Sequence, residues 1–351
     1  MVHILLLLVC AVAIYLSCEW FVNAIEWAGA RLRVGGVAVG TILAAAGTAL
    51  PESVVTLMAV LTGSAENGND IAVGAAMGGP LVVGTIAYAV TGGMLLLRRR
   101  RKVQVARAMA TAGGGSDERA PETDQTPSNP VDLQRLGRDQ TWFLVIFSAK
   151  VALGLVAFAI KPWLGLLFLA VYAVYFYREM TDDGEAASTE GLAPLKLRPR
   201  SASPSSWAVA AQVAGSLLVI FGASQLFVAQ LEWAGPALGL PAVVVALLLS
   251  PIATELPEIM NAVIWVRQGK TDLALGNISG AMMIQATVPS AIGLGFTDWR
   301  FDTPLVLAGV ATLASVVYLL TLLRKGRLTA WTLLGAGGFY AAFAVGLVIT
   351  V

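Results

Sequence analysis

The sequence predicts an all-α membrane protein: ten transmembrane helices arranged as two inverted five-helix repeats. Three observations lead there. Of 351 residues, 57% are hydrophobic and only 13% charged, about half the roughly 25% charge of an ordinary soluble domain. The charges are segregated as well: 24 of the 45 lie in 98–140 and 178–205, which leaves 21 for the other 280 residues, too few to clothe a soluble core. Third, a stretch of the first half recurs in the second. This composition excludes a soluble enzyme, a secreted disulfide scaffold and a nucleic-acid binder; the lipid bilayer is the expected solvent. Cys10 and Cys18 both fall in the first apolar segment and make no disulfide framework. The single histidine, His3, stands near the N-terminus, so a His-ligated metal site is excluded unless this residue serves. A net charge of +1 says nothing about partners.

Apolar runs of about 17–25 residues are long enough to cross a bilayer. The first covers 2–25. Its start carries no positive charge and Tyr15-Leu16-Ser17-Cys18 is a poor lipoprotein box, so it is expected to stay as a helix rather than be cleaved. The second and third cover 34–62 and 70–97, and the basic cluster Arg98–Lys102 closes the third as a stop-transfer anchor. Residues 98–140 then read as a flexible loop, rich in Ala, Gly, Pro, Thr and mixed charge. The fourth (141–160) and fifth (162–178) are separated by a Lys161-Pro162 turn, and 179–205 forms a second flexible linker. The sixth to tenth cover 206–230, 239–267, 272–296, 303–323 and 328–350. The units are therefore 1–97, 98–140, 141–178, 179–205 and 206–351. With both termini outside, 20 of the 23 Lys and Arg residues fall in inside loops, as the positive-inside rule requires. The loops 98–140 and 179–205 are then cytoplasmic, in a multi-pass protein of the cell membrane.

Residues 21–52 align with 227–258 at a constant offset of 206, with 14 of 32 positions identical. Glu26-Trp27-Ala28-Gly29 recurs as Glu232-Trp233-Ala234-Gly235, and Thr48, Leu50-Pro51-Glu52 recurs as Thr254, Leu256-Pro257-Glu258. Five spans per half make the second half enter from the opposite side. Inverted repeats of this kind belong to secondary transporters, which bind substrate near the midplane between the repeats.

Pro51-Glu52 and Pro257-Glu258 lie within the second and seventh spans. A carboxylate at the bilayer centre costs roughly 2.5–3.5 kcal/mol on insertion scales, and persists where it faces a bundle interior and meets a cation or proton. Each proline removes a backbone hydrogen bond and crowds the carbonyl four residues back, Gly47 and Ala253 respectively. Freed carbonyls near Ala45–Thr48 and Pro251–Thr254, with the hydroxyls of Thr48 and Thr254, are hard oxygen donors suited to Ca²⁺ and Na⁺.

These residues resemble the alpha-repeats of sodium/calcium exchangers, in the cation/calcium antiporter superfamily, as a divergent bacterial-type member. Gly40-Thr41 through Thr48-Ala49-Leu50-Pro51-Glu52 is similar to the first repeat, marked by Gly-Thr-Ser-x-Pro-Glu, and Ala253-Thr254-Glu255-Leu256-Pro257-Glu258 to the second. Gly276-Asn277-Ile278-Ser279-Gly280 resembles the family's Gly-Asn-x-x-Gly-Ser, with Gly74-Ala75-Ala76-Met77-Gly78 as its weaker partner. The resemblance implies a core of spans two, three, seven and eight around the ions, with spans one and six sliding past it. It places Glu52 and Glu258 as cation-bridging glutamates, Thr48 and Thr254 as the threonines, and Ala45 as a carbonyl donor. The chain departs from the pattern at Ala49 and Glu255, where the family has serine, at Gly79 and Ala281, again serine, and at Val83 and Gln285, where it has asparagine or aspartate. Glu255 stands three residues from Glu258, on the same helical face, and two such carboxylates tend to share a proton. The departures weaken the case for sodium coupling and strengthen that for protons.

The candidate cation ligands are thus Glu52, Glu258, Thr48, Thr254, Glu255, Ala45 and Gln285. Asn261 and Asn277 either back them or bond between helices. Glu26 and Glu232 are expected as interfacial anchors or entrance charges rather than midplane ligands, and a part for Glu19 in the cation path is open. Lys150, mid-span in the fourth helix, is expected to snorkel or to pair with a carboxylate in a structural role. The expected function is antiport of Ca²⁺ or another cation against Na⁺ or H⁺, with inorganic cations as cargo and no cofactor. The alternative is a cation-binding protein that no longer transports. No nucleophile constellation suggests an enzyme.

Overall fold

The computed structural model describes residues 2–35, 38–62, 65–111, 130–156, 160–181, 191–201, 203–237, 239 and 245–350. Helix occupies each of the ten predicted stretches. The first rod is α1 (Val2–Leu32). The second is a wide π-type turn, Val39–Ala44, running into α2 (Ala45–Thr62). The third joins α3 (Ala65–Val82) through a second π turn, Val83–Ala87, to α4 (Tyr88–Thr111). The fourth and fifth are α5 (Pro130–Leu155) and α6 (Lys161–Thr181), and the sixth is α7 (Ser206–Ala237). The seventh consists of a third π turn, Val245–Leu249, then α8 (Ser250–Thr254) and α9 (Leu256–Gln268). The eighth and ninth are α10 (Thr271–Phe296) and α11 (Thr303–Arg324), and the tenth is α12 (Ala330–Gly335) with α13 (Gly337–Thr350).

Among the described residues, seven helices are long and apolar enough to cross a membrane alone, and the bent seventh rod makes an eighth. The second and fourth rods differ for sequence reasons. The apolar piece of the second, Val39–Ala49, is short. The fourth opens on the polar run Asp132–Gln140. The first and third π turns begin at Val39 and Val245, 206 residues apart, the offset of the sequence repeat. The duplication is thus written into the backbone as well as the side chains, and π turns of this sort recur at functional sites.

Rods two, three, seven and eight pack on one another, and α1 lies along α7. Burial separates the two groups. In α10, 83% of the most apolar 18-residue stretch is enclosed, against 22% in both α1 and the sixth rod. The eighth rod is therefore the axis of the bundle, while α1 and α7 turn broad faces such as Leu5, Leu8, Val12 and Leu218 outward. Close approach of the second rod to that axis rests on two glycines. A Cβ on Gly280 would stand 2.0 Å from the Thr41 carbonyl oxygen, and one on Gly40 would stand 2.7 Å from that of Leu273.

Two stretches expected from composition to be flexible are ordered where described. Residues 130–140 extend the fourth helix. Arg135 and Arg138 there grip the buried Glu179 of α6, at 2.8 and 2.5 Å, and Thr41 donates to the same carboxylate at 3.3 Å. Residues 191–201 form a strap across α1 and α7. Asn23 Nδ2 donates to the carbonyls of Ala193 and Pro194 while its Oδ1 accepts from the Lys196 N–H, and the Trp27 indole donates to Ala193. Composition sees charges and prolines in both stretches. It does not see that buried polar side chains elsewhere supply the missing partners.

Candidate cation site

The seventh rod breaks at Glu255. Its φ of −84° and ψ of 3° end α8 and begin α9, and the two pieces meet at 52°. Pro257 causes the break: without an N–H it cannot bond the Ala253 carbonyl, and its ring crowds that oxygen. The ladder resumes at once, since the Glu255 carbonyl accepts from Ile259 N–H at 3.1 Å. The second rod behaves differently, for α2 continues as helix through Pro51 and its irregular turn lies upstream at Val39–Ala44.

The carboxylates of Glu255 and Glu258 are both fully buried. Burying an anion is costly unless donors or cations meet it. For Glu255 the donor is Gln285: its Nε2 lies 2.6 and 2.7 Å from the two carboxylate oxygens. Room for this pair comes from Gly79. A Cβ at that position would stand 2.6 Å from Glu255 Oε1 and 3.1 Å from the Gln285 side chain. Three departures from the family pattern, at 79, 255 and 285, are thus one packed unit.

Glu258 sits in the first turn of α9, where the helix N-terminus favours negative charge. The Asn277 amide donates to the Glu258 backbone carbonyl at 3.3 Å, and Cys18 Sγ lies 3.7 Å from the Pro257 carbonyl oxygen. The Asn261 amide, one turn on, is completely buried and makes no hydrogen bond among the described residues. The Thr48 and Thr254 hydroxyls each donate to their own helix, to Ala44 at 3.2 Å and Pro251 at 3.1 Å. Their lone pairs stay available to accept or to coordinate. Ala45, fully buried, opens α2 directly after the π turn. Glu52 belongs to α2, but its side chain, like that of Glu232, lies outside the described residues. Among the described residues no three of His, Cys, Asp and Glu converge. Apart from Glu52, the oxygen donors of this region are the Glu255 and Glu258 carboxylates with hydroxyl, amide and carbonyl groups.

Lys150 corrects an expectation. It does not snorkel: it is fully buried and donates to two backbone carbonyls, Ala76 at 2.5 Å and Gln285 at 3.2 Å. A lone lysine in an apolar helix gave no sign of the carbonyls, because they belong to two distant rods. Glu26 binds the Trp265 indole at 2.9 Å and Lys270 at 2.6 Å, an anchor between α1 and the core. Glu19 accepts from Tyr15 at 2.9 Å and from strap residue Lys196 at 3.1 Å.

Comparison with known proteins agrees with this architecture. The chain matches the family model described as "Sodium/calcium exchanger protein" over residues 2–180 and 208–349. It is similar in fold to solved structures of the sodium-calcium exchanger NCX_Mj. With NCX_Mj soaked in 2.5 mM Na⁺ and 0.1 mM Ca²⁺ the TM-score is 0.71 at 16% identity, covering 97% of each chain. With the form soaked in 2.5 mM Na⁺ and 0.1 mM Sr²⁺ it is 0.70 at 16% identity, again over 97% of each. With the form at zero Na⁺ and Ca²⁺ it is 0.69 at 16% identity and the same coverage. No curated protein matches the chain significantly.

Proposed function

The chain belongs to the sodium/calcium exchanger family, a family of multi-pass cation transporters rather than enzymes, and from that premise we propose that it exchanges Ca²⁺ for Na⁺ or H⁺ by alternating access. The observation that carries this is the broken seventh rod, which sets two buried carboxylates, Glu255 and Glu258, beside a 52° bend. Glu258, Glu52, the two threonine hydroxyls and the Ala45 carbonyl hold the divalent ion. Glu255 is held by Gln285 rather than left for a sodium ion, which favours protons as the returning ion. Rods α1 and α7 slide along the core to open the site to one side and then the other.

The orientation we propose has both termini outside and 98–140 and 179–205 cytoplasmic, because that sorts nearly all the Lys and Arg residues to one side. An impermeant maleimide on intact cells should then label Trp163→Cys and spare Arg198→Cys, both at exposed positions.

Flux in proteoliposomes decides the chemistry. Calcium uptake should run under an outward proton gradient, and Glu258→Gln and Glu52→Gln should each abolish it. Uptake that survives both substitutions would make the site assignment wrong. Uptake driven only by sodium would transfer the coupling to that ion. Calcium-dependent thermal stabilisation without flux under either gradient would leave a binding protein.

A further inference from the structure

Prolines interrupt two rods of the core away from the Pro-Glu motifs. Pro80 lies inside α3 and Pro289 inside α10. Neither has an N–H to give, so the carbonyl one turn back loses its helical donor. Those carbonyls are Ala76 and Gln285, and they are the two to which the Lys150 ammonium donates, at 2.5 and 3.2 Å. The ammonium also stands 5.3 Å from the centre of the Phe147 ring and 5.9 Å from that of Trp299, whose indole N–H donates back to the Lys150 carbonyl at 3.3 Å. Free carbonyls and aromatic faces are surroundings that welcome a cation.

The charge belongs to the ion site by way of one residue. Gln285 takes the Lys150 ammonium on its backbone oxygen and gives its side-chain amide to the Glu255 carboxylate. Lys150 and Glu255 therefore stand on opposite ends of a single glutamine, a positive and a negative group in the same buried unit. Two orphaned carbonyls could be satisfied by a neutral hydroxyl or amide at far less desolvation cost. A full charge is called for only where it balances another.

We propose that Lys150 is a tethered cation: its ammonium occupies, between the third and eighth rods, a place that a free monovalent ion of the sodium or potassium kind would otherwise fill. The chain then needs one fewer free monovalent ion to complete its charge balance. The idea rests on the same Glu255–Gln285 pair as the antiport proposal, but its test needs no transport.

Lysine 150 is replaced by methionine, which keeps the stem and removes only the ammonium, by alanine and by arginine. The purified full-length proteins are unfolded by heat in detergent, in choline, sodium or potassium chloride at one ionic strength. K150M should unfold below wild type in choline. Sodium or potassium should recover much of that gap, by roughly 5 °C near saturation, beyond any rise the same salts give wild type. Methylammonium should do the same for K150A, whose truncated side chain leaves space for it. K150R, which keeps the charge, should respond to salts as wild type does. A K150M deficit of equal size in choline, sodium and potassium overturns the proposal, as does failure of K150M to fold in all three. Wild-type protein that shows no flux under either gradient, with these thermal responses intact, would instead count against the antiport proposal.

Discussion

At the scale of single residues, the site is decided by what Gly79 lacks. Glu255 and Gln285 occupy the space where a side chain at 79 would begin, 2.6 Å from the Glu255 oxygen. Gly79→Ser should therefore be destabilising, by about 1–3 kcal/mol, the usual cost of overpacking a filled interior. Shortening the intruding side chain should relieve it, so G79S placed on Glu255→Ala should cost markedly less than on wild type. Chemical denaturation of the four proteins of this cycle measures the coupling. Additive losses would mean that the serine finds room elsewhere and that the two positions do not compete. The sequence shows positions 79, 255 and 285 each as a separate departure from a repeat pattern. That they are one unit was not legible there, because nothing periodic connects residues so far apart; only packing does. Glu258 was legible for the opposite reason, since a carboxylate beside a proline within an apolar run stands out against its neighbours.

At the scale of elements, the strap over 191–201 shows how polar chain is kept ordered without regular structure. Leu195 is its one fully buried apolar anchor. The remaining hold is polar: Asn23 makes three hydrogen bonds to it, Trp27 one, and Gln212 accepts from the Leu197 N–H at 2.7 Å. Asn23→Ala would strip those three at once. Each net hydrogen bond contributes about 0.5–1.5 kcal/mol, so local opening should become at least tenfold easier. Trypsin reads this directly at Lys196-Leu197 and Arg200-Ser201, on the strap and at its end, since Arg198 precedes Pro199 and is not cut. Cleavage there should accelerate by about that factor while the global unfolding midpoint moves little. An unchanged cleavage rate would show that the backbone of the strap holds without Asn23. The ten rods themselves were legible, because apolar length is a strong signal. The strap and the 130–140 extension were not: Arg135 and Asp139 are as buried as core residues, yet their charge marks them as loop until Glu179 and Ser279 are seen beside them.

At the scale of the whole molecule, the distribution of contacts separates a lipid-facing pair from an enclosed core. Helices α1 and α7 lie along one another and are joined at one end by His3, which bonds Gln230 at 2.7 Å and stacks on Trp233 with ring centres 3.4 Å apart. At the opposite end of α1, Glu26 ties that helix to the core through Trp265 and Lys270. If the pair slides as one body, as proposed, the first contact travels with it and the second must break in every cycle. Cross-linking tells these apart. With Cys10 and Cys18 replaced by alanine, His3→Cys with Gln230→Cys, bridged by a short bifunctional thiol reagent, should leave calcium flux close to its unbridged rate. Glu26→Cys with Lys270→Cys, bridged in the same way, should stop flux, and a reductant that cleaves the bridge should restore it. Flux that survives the second bridge would place the moving boundary elsewhere in the bundle, and flux lost with the first would mean that α1 and α7 move against each other. The same ion pair makes a milder prediction. Lys270→Met leaves the Glu26 carboxylate with Trp265 but without its cation, which weakens the resting contact. The slide should then start more easily and its reversal should slow, so that the two half-reactions, timed separately in single-turnover flux, change in opposite senses while the intrinsic calcium affinity of the Glu258 site stays the same. Equal changes in both would show that the ion pair does not belong to the resting state alone.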